Sequence, residues 1–189
     1  HKDVARRAAR AGFAAIAPDL LSRQGGAASF PDATARSQAY GRTLLPERRT
    51  DLISGLDYLK FTPFVQFDRI GIVGFCAGGG NVWDMVVNVP ELAAAVPFYG
   101  TPVPAIADIV NIQTPVLMVY AERDRALTSQ IGPVMQELLA KQKVFGFRVY
   151  EGVGHAFHND TGAAYNAEAA CAAWGETVAY LRKWLLAPR

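Results

Sequence analysis

The chain has 189 residues, 51% of them hydrophobic, enough to bury a sizeable core in one globular domain. Its net charge is only +2, and the basic residues are scattered, so no stripe for nucleic acid is expected. No apolar run is long enough to cross a bilayer, no leader pattern shows at the start, and two cysteines make no disulfide framework.

Lys2 to Ala11 has helical spacing and stops at Gly12. Phe13-Ala14-Ala15-Ile16-Ala17 reads as a short strand ended by Pro18. Leu20 to Pro31 reads as a loop. Thr34 to Thr43 and Glu47 to Lys60 read as helices, the second with Pro46 at its start. Ile70 to Gly74 is a β-branched strand, followed by a glycine-rich turn and the helix that opens at Asn81. Ala94 to Tyr99, Pro115 to Tyr120 and Phe147 to Tyr150 are further strands. Between them lie a loop with a helical turn (101–111) and a helix over Ser129 to Lys141. The last helix runs from about Glu176 to Leu186, entered through Ala167 to Trp174. Apolar strands alternating with helices predict a mostly parallel sheet covered on both faces, an α/β fold. In such sheets the loops after the strands share one mouth.

Those loops carry chemistry. Gly74-Phe75-Cys76-Ala77-Gly78 sits between a strand and a helix, the setting of a nucleophile elbow with cysteine in place of serine. The turn is expected to be too tight for side chains at both Gly74 and Gly78. Asp124 follows the next-but-one strand, and His155 follows the one after that. Nucleophile, acid, histidine is the chain order of α/β-hydrolases. His155 would take the thiol proton and return it to the leaving group, while Asp124 fixes the imidazole tautomer. Ala77, just after the nucleophile at a helix N-terminus, would offer its N–H to an oxyanion. Glu122 and Asp160 compete with Asp124 as the acid. His158 reads as a bystander and Cys171 as a structural residue. The glycine run matches no phosphate-binding pattern, and the His and Cys spacings match no zinc site.

With these pieces in place the chain resembles the dienelactone hydrolase family (carboxymethylenebutenolidases) of the α/β-hydrolase superfamily. The resemblance rests on Ala17-Pro18-Asp19-Leu20, Gly74-Phe75-Cys76-Ala77-Gly78-Gly79, Phe98-Tyr99-Gly100, Glu122-Arg123-Asp124 and Gly154-His155-Ala156-Phe157. It implies a three-layer α/β-hydrolase fold, a Cys–His–Asp triad, hydrolysis of a small ester or lactone, and no cofactor. Tyr99 and Phe157 join Ala77 as expected substrate-binding residues. Arg36 looks like one of the family's carboxylate-holding arginines, or a solvent-facing helix residue. A second such arginine is missing, since Phe157-His158-Asn159-Asp160 has none. The family also has upstream strands, a further oxyanion loop and a glutamate beside the cysteine. Residues 1–189 are therefore expected to be a single α/β-hydrolase domain lacking its N-terminal strands, because a sheet without them exposes an edge. A monomer or weak homodimer in the cytoplasm is expected, with an export signal ahead of His1 left open. Two other readings compete: a non-catalytic small-molecule or partner binder on this fold, and a thiol redox sensor. The complete Cys76, Asp124 and His155 set argues against the first, and the lack of a nearby second cysteine against the other.

Overall fold

The computed structural model describes residues 2–186. Its contacts group into two compact units, His1–Phe67 and Asp68–Arg189. The sheet lies entirely in the second.

Among the described residues the first unit holds three α-helices: α1 (Lys2–Arg10), α2 (Ala33–Arg42) and α3 (Leu45–Lys60). α1 ends where Gly12 takes a left-handed φ of 98°, a conformation glycine adopts without Cβ strain. Asp32 caps α2 by accepting the Ala35 N–H at 2.8 Å. At the start of α3, Glu47 accepts the Leu44 N–H at 3.0 Å. Each bond satisfies a donor that a helix start leaves orphaned. Asp19 organises the long loop, taking the N–H groups of Leu21 at 3.0 Å and Ala27 at 2.7 Å.

The expected strand at Phe13–Ala17 does not form, and Ala14 to Ala17 lie exposed. Its composition suits a strand, but a strand exists only through a ladder with a neighbour. Among the described residues nothing pairs with it.

The second unit is a four-stranded parallel sheet in the order β1 (Gly71–Phe75), β2 (Ala94–Phe98), β3 (Val116–Ala121), β4 (Phe145–Tyr150). α4 (Ala77–Asn88), the short α5 (Arg125–Thr128) and α6 (Ile131–Ala140) lie between strands, and α7 (Ala167–Leu185) closes the chain. Every residue of β2 and β3 is buried, while β1 and β4 are partly open. That gradient explains the continuous apolar runs in the middle strands, which are covered on both faces. Val82, Met85, Val86, Phe98, Met118 and Leu138 form the heart of the core. The β2–β3 pairing holds at Ala95↔Val116 and Phe98↔Val119, on either side of Pro97, which has no N–H to give the ladder. α7 begins at Ala167, earlier than the sequence suggests. Asn166 caps it by accepting the Ala169 N–H at 2.9 Å.

Candidate active site

β1 runs straight into Cys76, and α4 leaves from it. The Cys76 N–H still joins the sheet, donating to the Phe98 carbonyl at 3.0 Å. Its carbonyl accepts the Gly80 N–H at 3.1 Å, the first bond of the helix. Between these duties Cys76 is held at φ 55°, ψ −121°. Such a conformation costs a non-glycine residue roughly 1–3 kcal/mol and persists only where its surroundings impose it.

Glycine is required around the elbow, though not at both of the expected positions. A Cβ at Gly74 would stand 2.2 Å from the Gly78 carbonyl oxygen. A Cβ at Gly78 would meet nothing within 4 Å. The other tight points are Gly79 and Gly80. Their Cβ atoms would fall 2.6 Å from the Gly100 Cα and 2.1 Å from the Thr101 carbonyl oxygen. The glycine run therefore lets the start of α4 descend onto the chain leaving β2.

Three side chains from three strand ends meet. His155 Nε2 lies 3.1 Å from Cys76 Sγ, and His155 Nδ1 lies 2.6 Å from Asp124 Oδ2. With Nδ1 donating to the carboxylate, Nε2 is left as the acceptor facing the thiol. The Asp124 side chain is 12% exposed and that of His155 is 36% exposed, so the carboxylate is sheltered while the imidazole reaches the surface. Cys76 is exposed. Ala77 is the first residue of α4, where backbone N–H groups lack acceptors inside the helix. The other two candidate carboxylates have no recorded contact with the imidazole: that of Glu122 accepts the Gly152 N–H at 2.8 Å, and Asp160 is exposed on the following turn.

A family model for the dienelactone hydrolase family matches residues 1–185. The chain belongs to that family. Among its relatives is the "Putative carboxymethylenebutenolidase" of Methylorubrum extorquens, 30% identical over 97% of this chain and 67% of that one. Another is the "Probable 2-oxo-3-(5-oxofuran-2-ylidene)propanoate lactonase" of a Bradyrhizobium species, 30% identical over 100% of this chain and 79% of that one. A "Putative Dienelactone Hydrolase" of Klebsiella pneumoniae superposes with a TM-score of 0.85 at 27% identity, covering 97% of this chain and 80% of that one. This dienelactone hydrolase family member has the α/β-hydrolase fold and is an enzyme of the carboxylic ester hydrolase class, acting on small molecules.

Two of the expected substrate-binding residues take another position in this family member. Tyr99 is 1% exposed and Phe157 0%, so neither presents a face to a substrate. They pack behind the imidazole instead. The Tyr99 ring centroid lies 4.9 Å from that of His155, and Phe157 lies 5.6 Å from Tyr99. Tyr99 is left-handed at φ 36°. Burial pushes its phenol well above the ordinary tyrosine range, against a smaller opposing pull from a hydrogen bond to the His158 backbone, so it stays neutral. His158, expected to be a bystander, is buried and stacked on Phe75 at 4.9 Å. It packs the segment that follows His155 against the end of β1. Cys171, expected to be structural, is exposed on α7.

Arg36 is carried by α2 of the first unit, half-buried. Asn159 stands in the segment where a second arginine would be looked for. Its Oδ1 accepts from the Thr161 hydroxyl at 2.8 Å, closing its own turn. Sequence reasoning missed the buried Tyr120, whose hydroxyl accepts from Trp83 Nε1 at 3.3 Å and donates to the Gly100 carbonyl at 3.1 Å. That pair ties α4, β3 and the chain behind the elbow together. No helix among the described residues is long and apolar enough to cross a membrane.

Proposed function

We propose that this enzyme hydrolyses small esters and lactones through a thiol nucleophile, Cys76, with His155 as base and Asp124 as its orienting acid. The observation that carries this reading is the pair of contacts on one imidazole, 3.1 Å to Sγ and 2.6 Å to the carboxylate.

The chemistry follows from those contacts. His155 Nε2 takes the thiol proton as sulfur attacks the ester carbonyl carbon, forming a C–S bond and a tetrahedral oxyanion. The Ala77 N–H, at the positive end of α4, stabilises that oxyanion. The C–O bond then breaks, and the imidazolium returns its proton to the departing oxygen. In a lactone that oxygen stays tethered through the acyl chain, and in an enol lactone it leaves as an enol. Water, deprotonated by the same imidazole, attacks the thioester and releases the acid and the free thiol. Asp124 stabilises the imidazolium in both halves without itself taking the proton.

The names of the relatives, a carboxymethylenebutenolidase and a lactonase, favour lactones among the possible esters. The test is a set of p-nitrophenyl esters, simple lactones and enol lactones, with Cys76→Ala alongside. Removing the nucleophile should cut turnover by roughly 10⁴-fold or more. Near-normal turnover by Cys76→Ala would end the proposal.

A further inference from the structure

Glu122 is two residues before Asp124, and Gly152 three before His155. β3 and β4 pair up to Ala121↔Tyr150, and the two chains then continue as loops. Loops released from a sheet usually diverge. These do not, because three hydrogen bonds cross between them beyond the ladder. Glu122 N–H donates to the Tyr150 carbonyl at 3.0 Å, and Arg123 N–H donates to the Val153 carbonyl at 2.9 Å. Between them the Glu122 carboxylate accepts the Gly152 N–H at 2.8 Å. This middle bond is the one made by a side chain, and it lands on a residue held at φ 69°. Gly152 can adopt that conformation because it has no Cβ. Without the carboxylate its N–H would have only water.

We infer that Glu122 is a positioning residue: its carboxylate clamps Gly152 so that the loop bearing His155 stays in register with the loop bearing Asp124. The inference rests on the Cys76–His155–Asp124 reading above. The acid–imidazole contact is short and directional, and a charge-assisted hydrogen bond to a backbone N–H is among the stronger local restraints available. Glu122 is exposed, so the clamp adds little to global stability. Its effect falls on the separation of two loops, where small misplacements are expensive for catalysis. Glu122 touches neither substrate nor thiol in this scheme, and its negative charge serves only to strengthen the bond to Gly152. What matters is an acceptor oxygen at that point.

The test compares Glu122→Ala and Glu122→Gln with the parent chain and with Cys76→Ala, using p-nitrophenyl acetate. Glu122→Ala should lower kcat about tenfold with KM within about twofold, while Glu122→Gln, which keeps an acceptor oxygen, recovers most of the loss. A second readout is independent of activity: the downfield proton resonance of the His155 Nδ1–H. It should broaden or vanish in Glu122→Ala and persist in Glu122→Gln. Unchanged kcat in Glu122→Ala, or Glu122→Gln as damaged as Glu122→Ala, would overturn the clamp. Undamaged turnover in Cys76→Ala would remove the thiol mechanism instead, and the imidazole resonance would still decide whether Glu122 holds the histidine loop.

Discussion

Adding one methyl group at Gly74 and, separately, at Gly78 should have opposite consequences, although the sequence makes the two glycines look equivalent. In Gly74→Ala the new carbon would stand 2.2 Å from the Gly78 carbonyl oxygen and 2.5 Å from its carbon. Carbon–oxygen contacts settle at about 3.3 Å, so the backbone must open by about 1 Å. The Val82 side chain at 2.8 Å could turn aside, but the two nearer atoms are Gly78 backbone and cannot. Overpacking of this kind costs roughly 1–3 kcal/mol. The displaced segment is the elbow itself, which holds Cys76 Sγ 3.1 Å from His155. A shift near 1 Å there should lower kcat/KM by about 100-fold. Gly78→Ala meets open space and replaces a glycine inside the first turn of α4. It should be neutral or stabilising by up to about 1 kcal/mol. Urea unfolding of both variants and kcat/KM on p-nitrophenyl acetate measure the contrast. Equal damage from both, or a harmless Gly74→Ala, would refute the account of the elbow.

Asp124→Asn should preserve the fold and reduce kcat by roughly 10²–10⁴-fold, because the amide no longer fixes the imidazole tautomer or stabilises its charge. Steady-state kinetics with a circular dichroism control checks it. Cys171→Ala should leave turnover within about twofold, since a surface substitution away from the site is nearly neutral. The buried Tyr120 phenol is pushed up to about 12, chiefly by burial. A raised folded value means its contribution is intact below pH 10, the unfolded range, and is lost as pH rises from about 10 to about 12, by up to about 3 kcal/mol. Urea midpoints across that window should fall, and Tyr120→Phe should make the fall shallower. An unchanged slope in the variant would remove Tyr120 as the cause.

The sheet was legible because β2 and β3 are buried on both faces and so carry unbroken apolar runs. Phe13–Ala17 has the same composition and forms no strand, because composition cannot say whether a pairing partner exists. Cys76, Asp124 and His155 could be read from their order and from the glycines beside them. The clamp from Glu122 to Gly152 could not, since it depends on how two loops run past each other. Tyr99 and Phe157 follow strand ends, where pocket residues are expected. The left-handed turn at Tyr99 tucks its ring behind His155 instead. Gly79 and Gly80 were visible as glycines, but the chain they approach, Gly100 and Thr101, is 21 residues away in sequence.

In the proposed mechanism the sulfur of Cys76 becomes covalently acylated. Intact-protein mass spectrometry of enzyme quenched in acid during turnover of p-nitrophenyl acetate, followed by peptide mapping, tests it directly. One added acetyl group is expected, on the peptide bearing Cys76 and absent from Cys76→Ala. An acetyl group on another residue that forms and decays at the rate of turnover, or full turnover by Cys76→Ala, would contradict it.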